Sequence, residues 1–290
     1  MKHWSKVIFA LCLSSALSAA DITSPIIYGH RGDREFGLQN TMQAFKAVWE
    51  NGGNAVEIDV RTTADGKIVV FHDADLQKMA GDKRQIRKIT YAELQKVDIG
   101  SRKHPMFKNE HPPLLEEFFA AMPKTSFVLV EIKKGAVDEN FPYILRDLLK
   151  KYNIARSQVT VVSFEEEPLR NLNKKVPGFR NMLIAGLGDC RRFGMKKPSY
   201  DPNLAADNIL AKLKELGCTG FSFGAGDKRI KYDKKFFKRF IDAGYEISVW
   251  TVNDTWEAYK LVKLGASSVV TDRPTTMLHA WQKLFSTSQK

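Results

Sequence analysis

The stretch "AVEIDVRTTADGKIVVFHD", residues 55–73, decides the fold because it holds two β-type runs that lie very close together in the chain. Only the six residues "RTTADG" separate "AVEIDV" from "KIVVFH". A crossover between parallel strands needs roughly a dozen residues or more, whereas antiparallel strands can be joined by a short turn. The two runs are therefore predicted to form a β-hairpin.

Seven more β-type runs occur along the chain, and most are separated by segments with helical periodicity, as in βα units around a parallel sheet. They read "PIIYG", "FVLVEI", "QVTVVSF", "NMLIAG", "CTGFSFG", "YEISVW" and "ASSVVTD". The hairpin removes one of the nine runs, so eight remain as parallel strands. An α/β chain with this pattern is typical of a TIM (β/α)8 barrel. A doubly wound open sheet is the alternative fold.

The segment "NTMQAFKAVWENGG", residues 40–53, shows how the helices are predicted. Met42, Phe45 and Trp49 recur on one stripe, Thr41 can cap the amino end, and the two glycines can end the helix. Similar segments, each followed by a glycine, lie between the later β-type runs.

Residues 74–112, which follow the hairpin, are polar and carry one clear helix start, a capping box of Thr90 and Glu93. They are predicted to form a small insertion that extends over the mouth of the barrel. A lid over the site and a plain insertion are both open interpretations of this segment.

Residues 1–20 have the pattern of a secretory signal peptide, with Lys2 and Lys6, an apolar run and then small residues. The apolar run is too short to span a bilayer. We therefore expect an exported protein, either periplasmic or extracellular, with one barrel domain over residues 21–290.

The chain is strongly basic, with 45 Lys and Arg against 33 Asp and Glu. Such a charge favours anionic partners, such as a phosphate-bearing small molecule, a membrane surface or a polyanion. Nucleic acid is disfavoured because the basic clusters lack interleaved aromatic residues or a recognisable module, and no amphipathic helix with exposed aromatic residues supports membrane binding. A disulfide between Cys190 and Cys218 and the oligomeric state both stay open.

Polar side chains end several of the apolar strands, at the edge where barrel enzymes keep their active sites. Successive strand residues alternate between two faces, so the acidic pair in "VEIDV" shares one face, and so does the charged pair in "VEIKK". Seven residues are expected to meet on this rim: His30, Arg31, Glu57, Asp59, His72, Glu131 and Lys133.

Glu57, Asp59 and Glu131 would place three carboxylates close together, and each like-charge pair at about 4 Å costs roughly 4 kcal/mol at an effective dielectric of about 20. A bound cation is the simplest remedy, and an all-oxygen site favours one divalent ion, Mg²⁺ or Ca²⁺, over zinc. Arg31 and Lys133 are expected to face an anion from the other side. Together these groups indicate a phosphoryl site.

His30 and His72 fit a general acid and a general base, because the ordinary pKa of histidine lies close to neutral pH. Each of these residues alone has a simple structural explanation. Their joint placement on successive strands that otherwise bury apolar groups is what favours an active site.

These motifs make the chain similar to the glycerophosphodiester phosphodiesterase family. The matching text includes "GHRG" at 29–32, "EIDVRTTADGKIVVFHD" at 57–73, "EIK" at 131–133, "VWTVN" at 249–253 and "GASSVVTDRP" at 265–274. The resemblance extends over about residues 26–280. It implies a TIM barrel with a β-hairpin after strand 2 and a small insertion. It also implies hydrolysis of glycerophosphodiesters to sn-glycerol 3-phosphate and an alcohol.

The resemblance also implies a role for each matching residue. Glu57, Asp59 and Glu131 match the metal ligands, His30 and His72 the acid–base pair, Arg31 and Lys133 the phosphate-binding cations, and Trp250 an aromatic wall of the substrate pocket. The family usually has Pro-Glu-Asn-Thr where this chain has Leu38-Gln39-Asn40-Thr41. Gln39 keeps the size of a glutamate but removes its charge, which leaves metal affinity, metal choice and substrate range open.

Two other functions stay open at this point. One is a phospholipase C- or D-like phosphodiesterase of related barrel architecture that acts on intact phospholipids. The other is a non-catalytic protein that binds phosphate esters, although binding an anion does not require a pair of histidines. For the hydrolase, the nucleophile is either water or a neighbouring hydroxyl of the substrate, which would give a cyclic phosphate first.

Overall fold

The structure is a computed structural model, and it describes residues 25–186, 193, 201–226 and 230–286. The expected signal peptide and Cys190 lie outside these residues. Cys218 is buried, and burial raises the pKa of its thiol to about 12. A disulfide between the two cysteines therefore stays untested.

Nine β-strands form one sheet within the described part of the chain. They are β1 (Ile26–His30), β2 (Ala55–Thr62), β3 (Ile68–Val70), β4 (Phe127–Ile132), β5 (Val159–Ser163), β6 (Arg180–Ala185), β7 (Gly220–Gly224), β8 (Glu246–Trp250) and β9 (Ser268–Thr271). All except β3 run parallel, and β1 pairs with both β2 and β9, which closes the sheet into an eight-stranded barrel. The predicted TIM barrel is confirmed, and the open sheet is excluded.

The strand β3 pairs antiparallel with β2, so the predicted hairpin is confirmed. Val60 lies opposite Val70 in this pairing. The amide of Phe71 donates to the carbonyl of Asp59 at 2.9 Å. The returning chain thereby brings His72 to the rim on which β2 ends.

The described residues contain ten α-helices. They are α1 (Met42–Glu50), α2 (Gln77–Ala80), α3 (Tyr91–Leu94), α4 (Leu115–Ala121), α5 (Phe141–Lys151), α6 (Glu166–Lys175), α7 (Asn203–Leu216), α8 (Lys234–Asp242), α9 (Thr255–Leu264) and α10 (Pro274–Ser286). Among them, none combines the length and the apolar composition that crossing a bilayer requires.

Two apolar layers hold the barrel together. The outer layer lies between the helices and the outward-facing strand residues, and it includes Phe45, Val128 and Phe221. The inner layer fills the barrel with residues such as Tyr28 and Leu129. Because neighbouring residues of a parallel strand are buried on opposite faces, the strands read as nearly continuous apolar runs.

The helix α1 shows why the helical prediction succeeds. Thr41 accepts a hydrogen bond from the amide of Ala44 at 3.3 Å and so caps the amino end. Phe45 is fully buried on the predicted stripe, while Met42 and Trp49 are partly buried against the same core.

Residues 74–112 contribute most of a small apolar core, to which Leu38 and Phe71 from outside the segment also belong. The predicted capping box is present, since the amide of Thr90 donates to Glu93 and the amide of Glu93 donates to Thr90. The segment therefore packs against the hairpin and the loop after β1. None of its residues lines the cavity at the barrel mouth.

Candidate active site

One cavity of about 330 Å³ opens at the carboxyl ends of the barrel strands. Seven of the eight predicted site residues line it: His30, Arg31, Glu57, His72, Glu131, Lys133 and Trp250. Asp59, the eighth, is fully buried behind them. The other lining residues are Leu129, Val162, Phe164, Ile184, Ser222, Thr251 and Val270. The alternation of strand faces thus brings the predicted residues to one place.

Three carboxylates form a buried cluster in this cavity. Glu57, Asp59 and Glu131 each offer an oxygen, and these oxygens lie within 4.8 Å of one another. Asp59 on β2 pairs with Glu131 on β4, which sets the two side chains next to each other. This cluster could hold a metal ion.

From the sequence, Arg31 and Lys133 were expected to lie across from the carboxylates. In the structure, both cations lie among the carboxylates instead. Lys133 Nζ lies 2.9 Å from Asp59 Oδ1 and 2.5 Å from Glu131 Oε1. Arg31 Nε lies 3.2 Å from Asp59 Oδ2. The short distances follow from burial, because opposite charges attract strongly where water is excluded.

Burial and charge shift the pKa values of the three carboxyl groups in different directions. Burial raises the pKa of Glu57 well above its ordinary value, and the charges of Asp59 and Glu131 add to the effect. Burial and then Asp59 raise the pKa of Glu131 to about 7. Burial acts the same way on Asp59, but Lys133 and Arg31 outweigh it and hold its pKa at about 2. The cluster is therefore one that a bound cation would stabilise.

The loop after β1 holds Arg31 by its backbone as well as its side chain. Its φ of 61° is uncommon for a residue that has a Cβ. Its amide donates to Glu57 Oε2 at 2.9 Å, and its Nη1 donates to Gln39 Oε1 at 3.0 Å. Strained backbone of this kind persists where surrounding contacts fix it. The guanidinium is thus held between Gln39 and Asp59.

Asn40 fixes the buried carboxylate of Asp59 from the same loop. Its Nδ2 donates to Asp59 Oδ2 at 2.8 Å, and its Oδ1 accepts from the amide of Asp59 at 3.3 Å. Asn40 also has a positive φ of 57°, which asparagine tolerates better than most residues. No role for the Asn40 side chain was predicted from the sequence.

His30 ends β1, and its Nδ1 lies 2.7 Å from Asp272 Oδ1. Asp272 also accepts hydrogen bonds from Arg34 and from Asn253 Nδ2. Burial raises the pKa of Asp272, but its bonds with His30, Asn253 and Arg34 outweigh burial and lower it. An ionised carboxylate only accepts, so His30 Nδ1 carries a proton and Nε2 is the nitrogen that can exchange one.

His72 follows the hairpin and has a carboxylate partner of its own. Its Nδ1 lies 2.8 Å from Oδ1 of Asp73, the next residue in the chain. The backbone is held nearby, because the guanidinium of Arg61 donates twice to the carbonyl of His72. For the other histidine, His30, burial lowers the pKa of the ring, while the hydrogen bond to Asp272 opposes that shift.

Residues 30–276 match a model of the glycerophosphoryl diester phosphodiesterase family. A glycerophosphodiester phosphodiesterase of Caldanaerobacter subterraneus is 28% identical over 264 residues, which cover 89% of this chain and 98% of that protein. The mouse (Mus musculus) protein named Lysophospholipase D GDPD1 is 28% identical over 272 residues, with 86% of this chain and 83% of that protein covered.

Solved structures share the fold. A phosphodiesterase of Oleispira antarctica in complex with the product sn-glycerol-3-phosphate has a TM-score of 0.74 and 24% identity, and the match covers 88% of this chain and 96% of that one. A glycerophosphodiester phosphodiesterase of Agrobacterium tumefaciens has a TM-score of 0.68 and 21% identity, with 88% and 99% covered.

Proposed function

This chain belongs to the glycerophosphoryl diester phosphodiesterase family, and we propose that it hydrolyses glycerophosphodiesters to sn-glycerol 3-phosphate and an alcohol. The observation that supports this most is the cavity itself. One space of about 330 Å³ is shared by two histidines, an arginine, a lysine and a buried carboxylate cluster. These groups can bind a phosphodiester and move protons at it.

The carboxylate cluster fits one divalent cation, Mg²⁺ or Ca²⁺. Its donors are all oxygens, which these hard cations prefer. Glu57 Oε1 is buried and accepts no hydrogen bond among the described residues. Glu57, Asp59 and Glu131 would hold the ion. When bound, the ion would act as a Lewis acid toward a phosphoryl oxygen.

Arg31 and Lys133 bind the phosphoryl group in this proposal. Both line the cavity, and both are fixed by neighbouring acidic or amide groups. The planar guanidinium can bind two phosphoryl oxygens, whereas the ammonium acts as a point charge. Positive charge that is already in place stabilises the negative charge that grows on those oxygens during the reaction.

His30 and His72 move the protons. Both keep Nδ1 bound to a carboxylate, so each uses Nε2 toward the cavity. One removes the proton of the nucleophile, which is water or a neighbouring hydroxyl of the substrate, and the other gives a proton to the departing alkoxide. The carboxylates orient the rings and stabilise their protonated forms.

We also propose that the protein is exported, to the periplasm or the outside of the cell. The basis is the order of Lys2, Lys6, an apolar run and small residues in positions 1–20. Amino-terminal sequencing of the protein isolated from its cells tests this: a chain that begins near Asp21 supports export, and a chain that begins at Met1 contradicts it.

The function is tested by measuring release of sn-glycerol 3-phosphate from glycerophosphocholine, glycerophosphoethanolamine and glycerophosphoglycerol. Each reaction is run with Mg²⁺, with Ca²⁺ and with a chelator. We expect release that needs one of the cations and that differs in rate among head groups. Absence of release from a folded protein under every condition would contradict the proposal.

A further inference from the structure

Gln39, in the loop after β1, lies between the side chains of Arg31 and Met79. Its Oε1 accepts a hydrogen bond from Arg31 Nη1 at 3.0 Å, and its Nε2 donates to Met79 Sδ at 3.4 Å. A guanidinium only donates hydrogen bonds, and a thioether sulfur only accepts them. The two partners therefore fix which way the amide of Gln39 faces, and a side-chain amide, with one acceptor and one donor group, satisfies both.

Gln39 holds Arg31 without being part of the cavity wall. Arg31 lines the cavity, whereas Gln39 does not. On its other side the Arg31 guanidinium faces the buried carboxylate of Asp59, with Nε 3.2 Å from Oδ2. The amide of Arg31 also donates to Glu57 Oε2 at 2.9 Å. Gln39 therefore acts on a bound phosphoryl group through the position and the charge of Arg31.

The charges of the site show why a neutral side chain matters at position 39. The three carboxylates of the buried cluster, when ionised around a cation, face the two positive charges of Arg31 and Lys133. One divalent cation would then leave the site with a single positive charge, equal in size to the single negative charge of a phosphodiester. A carboxylate at position 39 would cancel that charge and form an ion pair with Arg31.

We propose that Gln39 is a positioning residue that keeps the positive charge of Arg31 available to the phosphoryl group. This inference rests on the proposed function and adds to it the residue that sets the charge of the site. Gln39 orients the guanidinium by a hydrogen bond but does not neutralise it. The site thereby binds a phosphate ester more tightly, and a divalent cation less tightly, than it would with a carboxylate at position 39.

The two affinities depend on position 39 with opposite signs. A further negative charge near the cluster attracts a cation and repels a phosphate ester. One guanidinium group separates position 39 from Asp59, because Arg31 contacts both side chains. Asp59 and Glu57 are buried, and charges that are shielded from water interact more strongly and are screened less by salt.

Gln39→Glu is the test, because glutamate keeps the length of the side chain but adds a charge and removes the donor. Calorimetry titrates metal-free protein with Mg²⁺ and with Ca²⁺, and then titrates protein saturated with the tighter cation with sn-glycerol 3-phosphate. We expect Gln39→Glu to raise the cation affinity about tenfold and to lower the affinity for sn-glycerol 3-phosphate about tenfold. Damage to the fold would lower both affinities, so opposite shifts identify the effect of charge.

Gln39→Leu separates orientation from charge. Leucine offers no acceptor to Arg31 Nη1 and adds no charge. We expect the cation affinity to stay within about twofold of the wild type and the affinity for sn-glycerol 3-phosphate to fall about fivefold, because Arg31 loses the hydrogen bond that orients it. Unchanged affinity for sn-glycerol 3-phosphate in this variant would overturn the positioning role.

Gln77→Glu is the matched control. Gln77 is exposed at the start of α2, the helix that also carries Met79, and it does not line the cavity. Water screens the same change of charge there, so both affinities should stay within about twofold of the wild type. The proposal is overturned if both affinities fall or stay unchanged in Gln39→Glu, or if Gln77→Glu shifts them equally.

These titrations need no turnover, which separates this inference from the proposed hydrolysis. A folded wild type that releases no sn-glycerol 3-phosphate from any diester contradicts the proposed function. The two opposite shifts in Gln39→Glu still decide the role of Gln39 in that case.

Discussion

The two histidines of the site make the same contact with an aspartate, but different parts of the structure support that contact. His30 ends β1 and His72 follows β3, and each has its Nδ1 within 2.8 Å of an aspartate oxygen. The partner of His30 is Asp272, 242 residues away, which Arg34 and Asn253 also hold. The partner of His72 is the adjacent Asp73, whose second oxygen is buried without a partner among the described residues.

This difference shows that the same chemical pair can depend on different parts of a fold. The His30 pair depends on closure of the barrel, because β1 and β9 must lie side by side for Asp272 to reach the ring. The His72 pair is local and depends on the hairpin. The two histidines are therefore expected to differ in their sensitivity to changes in their partners, although both are needed for turnover.

The largest expected effect is the loss of either ring. His30→Ala and His72→Ala should each lower kcat by about 10² to 10⁴, the usual contribution of a positioned acid or base. The coupled assay for sn-glycerol 3-phosphate measures this, and thermal unfolding checks that each variant is folded. The exposed His279 on α10 provides the control, and His279→Ala should keep normal turnover. Near-normal turnover in either His30→Ala or His72→Ala would contradict the acid–base assignment.

The next largest effect separates the two partners. Asp272→Asn should lower kcat on the order of 100-fold, because an aspartate that orients a histidine also stabilises its protonated form. Asp73→Asn should lower kcat by less, about tenfold, because its carboxylate is held by fewer groups and water can replace it. Equal losses in the two variants would mean that the two supports are equivalent.

A pH profile of kcat/KM sharpens the comparison further. The contact with Asp272 raises the pKa of His30. The substitution Asp272→Asn should therefore lower the pKa of His30 and move one limb of the profile toward lower pH. If the acidic limb moves, His30 is the base, and if the alkaline limb moves, His30 is the acid. A profile of Asp272→Asn with both limbs in place would contradict the coupling between these residues.

The smallest effect concerns stability. The pKa of Asp272 is lowered in the folded chain, so its contribution is present above its unfolded pKa of about 3.9 and is lost as the pH falls through the folded value. Asp272→Asn should therefore lower the free energy of unfolding by about 1 kcal/mol at pH 7. Denaturant titrations should show this difference shrinking below about pH 4. A difference that is constant with pH would contradict the assigned pKa direction.

The arrangement of the strands could be predicted because it depends on local facts. Six residues between two β-type runs permit only a hairpin, and alternation along "VEIDV" and "VEIKK" puts the acidic and basic residues on one rim. These features need no knowledge of distant contacts. The eight-stranded count and the carboxylate cluster follow from them.

The supporting contacts could not be predicted in the same way. Asp272 meets His30 only because the barrel closes, although its place at the end of a strand is a usable signal. The cations were expected across from the carboxylates, and they lie among them because burial favours close ion pairs. Ser222 was not singled out, yet its place between two phenylalanines in "GFSFG" already puts it on the inner face.

The proposed function is tested most directly by identifying which phosphorus species the protein makes from glycerophosphocholine. Phosphorus NMR of the reaction with Mg²⁺ or Ca²⁺ resolves the substrate, sn-glycerol 3-phosphate and phosphocholine. The proposed function predicts conversion to sn-glycerol 3-phosphate in the wild type and no conversion in His30→Ala. Formation of phosphocholine, or conversion that persists in His30→Ala, would contradict it.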